Sequence, residues 1–405
     1  MRVKRAVVLV VDRLGAGWIG PYGNTWLETP NFNRLAAESL LFETAIADSP
    51  ELAKHVRSLW TGQHAAAHGD SALPSLAALA RRAGGTATLL TDESAVAEHS
   101  LADDFSARHV LPAPMARDSA ESIEQTGLFA FFAAARALIE QQPEPGLIWL
   151  HARGMAGPWD GPLELRQQFA DEEDPEPPPL VQPPSQVLEP SCDPDLLLGY
   201  SQAYAGQVSL ADMCLGLLLA GLEEQSASGE TMLVVTSPRG YPLGEHGLVG
   251  EVEAALYGEL LHVPLLMRVP GMEAARLQRV VQPNCLAEFI AERCGWNSSG
   301  EAILTDLLLA ELGPQGGMAV AVGERQRAIR TPAWFLRELS DADGTPQYEL
   351  FAKADDRWEA NEISSLCGEA VELLAAELTR FAAAPGSRQF ANTAQLAELL
   401  CNPWR

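Results

Sequence analysis

Two charged residues directly follow an apolar run near the start of this sequence. Six consecutive apolar residues, 6–11, predict a strand buried on both faces, and Asp12 and Arg13 come immediately after it. Ligands in open α/β sheets bind just beyond the carboxyl ends of the strands. A carboxylate there can bind a cation and a guanidinium can bind an anion, although Asp12 could equally serve as a turn or helix-capping residue.

Further apolar runs bring other chemically useful side chains to the same edge. The run 146–150 ends at His151, and the run 231–236 is followed within three residues by Arg239. A glycine-rich loop that contains His246 comes next. If these runs are parallel strands, imidazoles capable of acid–base chemistry gather near the first strand.

The elements that position these residues alternate along the chain. Buried strands separated by amphipathic stretches predict a large mixed, mostly parallel sheet sandwiched by helices, which is an α/β fold. The expected helices cover 29–39, 50–60, 73–82, 121–141 and 195–224, and a further strand covers 86–91.

The pattern changes after about residue 313. Short strands at 318–322, 328–331, 334–338 and 348–351, followed by a helix at 369–382, predict a small α+β subdomain. We therefore divide the chain into a domain at 1–313 and a subdomain at 314–405. Within the first domain, residues 169–190 are acidic and proline-rich, which is typical of a solvated surface loop.

Composition limits the partners. A net charge of −26 argues against nucleic acid and anionic membranes, and no apolar run approaches the length of a membrane span. The N-terminal apolar run is too short for a signal peptide. Six scattered cysteines fit a reducing compartment, so we expect a cytoplasmic protein. His64 and His68 lie four residues apart, and we expect loop or surface histidines rather than a metal site.

Short motifs, in a shared order and spacing, carry a family resemblance. The chain resembles the sulfatase family of the alkaline-phosphatase-like fold over nearly its whole length. The fragments are VVD at 10–12, GPYG at 20–23, TPN at 29–31, RLA at 34–36, SLWTG at 58–62, HG at 68–69, WLH at 149–151, GPWD at 157–160, LGEHG at 243–247, LY at 256–257, VPL at 263–265, RT at 330–331, YEL at 348–350 and NE at 361–362.

The family's nucleophile does not carry over. The resemblance implies a formylglycine, made from Cys or Ser, at the head of a Cys-x-Pro-Ser-Arg-x-x-Leu-x-Thr-Gly motif. Aligned on the closing Thr61–Gly62, that position is Leu52, and the Pro, Ser and Arg positions are Lys54, His55 and Val56. A leucine offers no group for covalent catalysis of the family's kind.

The calcium ligands that the resemblance implies are also largely absent. The corresponding positions read Asp12, Arg13, Leu52, Pro238 and Arg239, so a single carboxylate remains. Calcium takes about six to eight oxygen ligands, and nearby guanidinium groups repel a cation. We therefore expect neither a metal nor a formylglycine cofactor.

Arginines in place of acids suggest an anion site. We expect Arg13 and Arg239 to pair with Asp12, and Glu245 is a further candidate partner for these arginines. The alternative is that the two arginines fill space. As a hypothesis, the hollow holds an anion such as sulfate or a partner's acidic side chain. The other candidate ligand-binding residues are Lys54, His55, Arg57, His151 and His246.

The resulting functional hypothesis is a catalytically inactive pseudosulfatase with a binding or scaffold role, whose partner is a small anion or a protein. The alternative is an active sulfuric or phosphoric ester hydrolase with a non-standard, metal-independent site on His55, His151 or His246. General acid–base catalysis alone supplies only about 10²- to 10⁴-fold, which is small against an inert ester. Assembly as a homo-oligomer, or with an active relative, is not decided by the sequence.

Overall fold

The strand that follows the basic N-terminus, β1, lies in the middle of a large sheet in the computed structural model. The structure describes residues 3–67, 73–225, 228–251, 255–296, 317–340, 344–353, 355–383 and 398–402. The expected domain boundary after residue 313 falls outside these ranges, and so does His68.

The described strands run in chain order as follows: β1 (Arg5–Val11), β2 (Leu40–Ile46), β3 (Thr86–Thr91), β4 (Ala107–Val110), β5 (Gly146–Ala152), β6 (Gln186–Val187), β7 (Thr231–Thr236), β8 (Leu248–Val249), β9 (His262–Val263), β10 (Leu265–Arg268), β11 (Ala275–Val281), β12 (Ala319–Val322), β13 (Gln326–Arg330), β14 (Trp334–Ser340) and β15 (Pro346–Ala352).

The described α-helices are α1 (Pro30–Ala37), α2 (Leu52–Thr61), α3 (Leu76–Arg82), α4 (Ser94–Ala97), α5 (Gly127–Gln141), α6 (Glu164–Gln167), α7 (Pro194–Glu223), α8 (Gly258–Leu261), α9 (Cys285–Cys294), α10 (Gly368–Ala383) and α11 (Glu398–Cys401).

The large sheet is mixed and mostly parallel, as the sequence predicts. Its strand order is β11-β2-β10-β7-β1-β5-β3-β4, with β9 paired to β2. Strand β1 runs parallel to both neighbours, β5 and β7, while β10 is antiparallel to β7 and β2. Residues of β1 alternate between two hydrophobic cores: Val8 and Val10 belong to one, and Val7 and Leu9 to the other. Both faces of the sheet are therefore buried under helices.

A four-stranded antiparallel sheet, β12-β13-β14-β15, forms the C-terminal unit. One face packs on helix α10 through residues such as Ile329 and Leu374. Residues of its other face, including Ala328, Phe335 and Phe351, join one of the cores of the large sheet. The small sheet is thus packed against the α/β domain on its second face.

Helix α7 is apolar enough, by length and composition, to cross a membrane, whereas we expected no such segment. In the structure, 78% of its apolar window is buried inside the protein, against helices α1, α5 and α6. It is a core helix of this fold.

The acidic proline-rich segment 169–190 is more closely packed than the expected solvated loop. The Trp159 amide donates to the Val181 carbonyl at 2.7 Å, and Tyr241 Oη donates to the Pro184 carbonyl. Strand β6, inside the segment, pairs with β8. Backbone hydrogen bonds to the rest of the domain hold this segment in place. Its charge and proline content do not predict these hydrogen bonds.

One strand was missed, and one predicted helix start was wrong. We did not predict β2, because LLFETAI follows helix α1 after two residues, with no glycine or proline between them. Helix α2 begins at Leu52 with Glu51 as N-cap, not at Ser49–Pro50. The carbonyl of Pro50 instead takes part in a long-range contact described below.

Candidate functional site

Neighbouring strands bring the predicted residues to one edge of the sheet. Val10 on β1 lies opposite His151 on β5 and Thr236 on β7. Asp12 therefore emerges beside His151, and beside the loop that carries Arg239. The prediction that His151 reaches the edge where Asp12 lies is confirmed by this register.

Asp12 and Arg239 form a bidentate ion pair. The Nε atom of Arg239 donates to Oδ1 of Asp12 at 3.1 Å, and Nη2 donates to Oδ2 at 3.1 Å. Both residues are buried. Burial alone would raise the pKa of Asp12, but the charges of Arg239 and Arg13 outweigh it, and the pKa is lowered. Asp12 is therefore ionised and faces a guanidinium.

Arg239 also reaches the segment before α2. Its Nη1 atom donates to the Pro50 carbonyl at 3.0 Å, two residues before Leu52 at the head of the helix. Ser237 holds the base of the arginine loop, because its hydroxyl donates to the Arg239 carbonyl at 2.6 Å and accepts from the Leu14 amide at 3.2 Å. One side chain thus links the ends of β1 and β7 to the start of α2.

Arg13 turns away from Asp12. Its backbone is left-handed, with φ of 60°, and its carbonyl accepts a hydrogen bond of 2.6 Å from Tyr204 Oη. Its guanidinium lies 3.4 Å from the Gly250 carbonyl and 3.4 Å from Glu251 Oε1. Of the two arginines that we expected on Asp12, only Arg239 bonds to it, because the tight turn after β1 points Arg13 elsewhere.

Glu245 pairs with none of the arginines that the structure describes. Its Oε2 accepts from the Leu243 amide at 2.6 Å. Burial raises the pKa of Glu245, with the nearby Glu259 charge adding to the rise.

A second buried polar pair joins the segment after β2 to helix α2. His55 Nδ1 donates to Asp48 Oδ1 at 2.9 Å, and Oδ2 of the same carboxylate accepts from the Ser58 hydroxyl and from the Ala65 amide. Burial raises the pKa of Asp48, but His55 and His64 outweigh it, and the pKa falls to about 2. His55 Nε2 has no hydrogen-bond partner among the described residues.

We did not predict Asp48. It stands two residues after β2, close to the end of its strand, as Asp12 is to the end of β1. We missed Asp48 because we did not predict the strand that precedes it.

His151 is fully buried, and neither ring nitrogen has a hydrogen-bond partner among the described residues. Burial lowers its pKa to about 4, against the opposing effect of Asp12. The ring is therefore neutral at pH 7, although it lies beside a carboxylate.

The remaining candidate residues lie in other places. His246 donates from Nδ1 to Glu259 Oε1 at 3.0 Å and from Nε2 to the Glu359 carbonyl at 3.1 Å, and it stacks on Tyr257. Glu259 raises the pKa of His246 against the effect of burial. This histidine connects the α/β domain to the C-terminal unit.

Lys54 and Arg57 line a separate cavity of about 700 Å³ beside Arg325 and Arg327 of the C-terminal sheet. Lys54 pairs with Glu51, and Arg57 donates to the carbonyls of Ala65 and Ala67. His64 lies in the loop after α2, one of the two positions we expected, but it is buried there, with Nε2 on the Val320 carbonyl at 2.8 Å.

The residues at the Asp12 centre do not fit the calcium and formylglycine that the family resemblance implies. Both oxygens of Asp12 accept from Arg239, Pro238 has no side-chain oxygen, and Leu52 cannot be oxidised to an aldehyde. Within the part of the chain that the structure describes, His, Cys, Asp and Glu form no group of three or more that suits a metal ion.

Comparisons with known proteins agree with the architecture. A family model described as Sulfatase matches residues 4–295. Iduronate 2-sulfatase of Homo sapiens is 38% identical over 77 residues, which are 18% of this chain and only 13% of that protein.

Solved structures match over more of the chain. A phosphonate monoester hydrolase of Agrobacterium radiobacter aligns with a TM-score of 0.76 and 16% identity, covering 98% of both chains. A protein solved in complex with its substrate D-glucosamine-2-N,6-O-disulfate aligns with a TM-score of 0.72 and 15% identity, covering 96% of this chain and 98% of its own. At these identities, the likeness shows a shared fold.

Proposed function

Since the chain belongs to the sulfatase family, we propose that it is a member that binds or scaffolds and does not hydrolyse sulfate esters. The observation that carries the proposal is the bidentate contact between Arg239 and Asp12. A guanidinium stands where the family resemblance implies a cation, and it joins the same chain segments.

Electrostatics supports a permanent role for this pair. Two unit charges about 4 Å apart interact by roughly 4 kcal/mol at an effective dielectric of 20. Removing one member of a buried pair costs about 3–5 kcal/mol, because the other charge is left without a partner. A calcium ion that displaced Arg239 from Asp12 would have to overcome a cost of this size with a single carboxylate.

The head of α2 supports the same proposal. The nucleophile position is Leu52, an aliphatic side chain that is only partly buried. Covalent catalysis needs an activated oxygen, sulfur or nitrogen atom, which leucine lacks. We therefore expect no activity toward aryl sulfates above the uncatalysed background rate.

A second candidate function rests on the Asp48–His55 pair. A carboxylate that orients an imidazole, whose second nitrogen remains available, is the arrangement of a general base. With His151 nearby, this pair could activate a water molecule. Burial weighs against this candidate: His55 is 1% exposed and His151 is 0% exposed, and neither lines the cavity of about 700 Å³ beside Lys54.

The test is an activity assay on the purified protein with and without added calcium. The substrates are 4-nitrophenyl sulfate, 4-nitrophenyl phosphate and a 4-nitrophenyl phosphonate monoester, followed by release of 4-nitrophenolate. We expect rates equal to those of a His55→Ala, His151→Ala double variant prepared in the same way.

The outcomes separate the two candidates. Turnover by the wild-type protein that is lost in the double variant would favour the histidine-based hydrolase. Turnover that depends on calcium and survives in the double variant would mean that the family's metal chemistry persists. Either result would overturn the non-catalytic proposal.

A further inference from the structure

A cavity of about 620 Å³ opens between the α/β domain and the C-terminal sheet. We call it the junction cavity. Its walls include Trp18, Trp26, Arg357 and Trp358, and none of Asp12, His151 and Arg239 lines it. Pockets that bind small molecules have this size and commonly lie at interfaces between structural units.

Aromatic side chains stand at the rim of the junction cavity. Trp26 is 45% exposed and Trp358 is 62% exposed, although large aromatic side chains usually bury their surface. Trp18 lies edge-on to Trp26, with ring centroids 6.1 Å apart, and to the buried Tyr204 at 4.8 Å. Phe169 also packs on Trp26, with ring centroids 4.9 Å apart. The position of Trp26 is thus set by packing before any ligand arrives.

The cations at the cavity differ in their pairing. Lys353 pairs with Glu359 at 2.8 Å, and Arg276 pairs with Glu43 at 3.2 Å. The guanidinium of Arg357 has no hydrogen bond or ion pair with any residue that the structure describes, and it lies 5.1 Å from the centre of the Trp358 ring. Arg330, which also lines the cavity, donates to the carbonyls of Thr331 and Trp334, so among the arginines that the structure describes there, Arg357 is the one whose guanidinium is left to meet a ligand.

The backbone beside these residues is held in a strained conformation. Glu359 has φ of 56°, which non-glycine residues seldom adopt. Its carboxylate accepts from the Gly258 amide at 2.9 Å and from Lys353, and its carbonyl accepts from His246. These contacts fix the turn that presents Arg357 and Trp358. Strain of this kind is concentrated at ligand sites.

We propose that the junction cavity binds a small molecule with a flat ring and an anionic group. The ring would stack between Trp26 and Trp358, and the anion would pair with Arg357. Because the site excludes the Asp12 centre, this inference goes beyond the proposed function and holds whether or not that centre has activity.

The test is isothermal titration calorimetry of the full chain with naphthalene-1-sulfonate. Its sulfonate group is attached through a carbon–sulfur bond and not through an ester, so hydrolysis of the probe cannot contribute to the measured heat. Drug-sized ligands reach about 0.3 kcal/mol per heavy atom, which corresponds to a Kd of about 1 mM or tighter for this probe. Inorganic sulfate alone and the neutral alcohol 1-naphthalenemethanol should bind at least about tenfold more weakly. Glucuronate, an anionic sugar whose ring is not flat, should also bind at least about tenfold more weakly.

Variants identify the site. Arg357→Gln should weaken binding of naphthalene-1-sulfonate about tenfold, and Trp358→Ala about fivefold. Two matched controls, Arg325→Gln and Leu366→Ala, remove an exposed arginine and an exposed apolar side chain elsewhere, and should leave Kd unchanged. All four side chains are exposed, so folding is preserved, which circular dichroism checks.

Each outcome decides the proposal. Binding of naphthalene-1-sulfonate that weakens in Arg357→Gln and Trp358→Ala supports it. Three results would overturn it: no binding of naphthalene-1-sulfonate, binding that these two variants leave unchanged, or equal affinity for the neutral alcohol or for glucuronate.

Discussion

Arg239 and Asp12, 227 residues apart in sequence, meet through two hydrogen bonds of 3.1 Å at the centre of the large sheet. The same guanidinium donates to the Pro50 carbonyl. The ends of β1 and β7 and the approach to α2 are therefore joined by a positive charge that belongs to the protein. A structural role for this charge leads to the first prediction.

Replacing Arg239 by alanine should lower the free energy of unfolding by about 3–5 kcal/mol, because Asp12 is then a buried charge without its partner. Urea denaturation followed by circular dichroism measures the change. The double variant Asp12→Ala, Arg239→Ala should lose less than the sum of the two single variants. Arg325→Gln, at an exposed arginine, should change stability by no more than about 0.5 kcal/mol. A loss below about 1 kcal/mol in Arg239→Ala would show that the pair is not structural.

Restoring carboxylates should restore a cation site. In the double variant Arg13→Asp, Arg239→Asp, three carboxylates gather at the strand ends, and oxygen-rich sites of this kind bind calcium. We expect calcium binding by calorimetry in the double variant and not in the wild-type protein. The single variant Arg13→Asp, which keeps the guanidinium on Asp12, is the control. A folded double variant that takes up no calcium at millimolar concentration would mean that the pocket geometry has not persisted.

His151 and His262 should make the protein less stable as the pH is lowered from about 6.5 to 4, whereas Asp92, whose pKa burial raises to about 6, acts in the opposite direction. Burial lowers the pKa of both His151 and His262 to about 4, so the unfolded chain takes up these protons at a higher pH than the folded protein does. The stabilisation is complete above the ordinary histidine pKa and is lost as the pH falls toward 4, by up to about 3 kcal/mol for each residue. Asp48, whose pKa is lowered to about 2, contributes only below this window.

Urea titrations at pH 7, 5.5 and 4 measure this slope. The variant His262→Gln should show a shallower loss of stability than the wild-type protein, because one of the two proton-linked groups is gone. His109→Gln, at an exposed histidine on β4, should keep the wild-type slope. Equal slopes in all three proteins would refute the assignment.

Gly154 should tolerate no side chain. Its φ is +53°, and a Cβ atom there would lie 2.6 Å from Val11 Cγ1 and 2.7 Å from the Asp12 carbonyl oxygen. Gly84 also has a positive φ, +83°, but has nothing within 4 Å of the added carbon. We expect Gly84→Ala to cost about 1–2 kcal/mol for the backbone alone and Gly154→Ala about 3 kcal/mol or more, because steric overlap is added. Thermal denaturation compares the two, and equal costs would contradict the close packing at Asp12.

The sequence alone was sufficient for much of the architecture. Strands β3 and β7 have the predicted bounds, since strands covered on both faces leave uninterrupted apolar runs. Edge strands leave no such runs. Strand β11, with the sequence ARLQRVV, mixes polar and apolar residues and is partly exposed, and we did not predict it. The family's motifs, in order, were enough to identify the α/β fold.

The tertiary structure decided which charges meet. Arg13 is adjacent to Asp12 in sequence, yet the distant Arg239 pairs with it, because the left-handed turn at Arg13 points the nearer side chain toward Glu251. His246 was predicted for the same site and instead joins Glu259 and the C-terminal unit. Residue types and strand order can be inferred from the local sequence, through its periodicity and its motifs. Ion pairing depends on backbone direction and on distances between segments far apart in the chain, which only the packed structure sets.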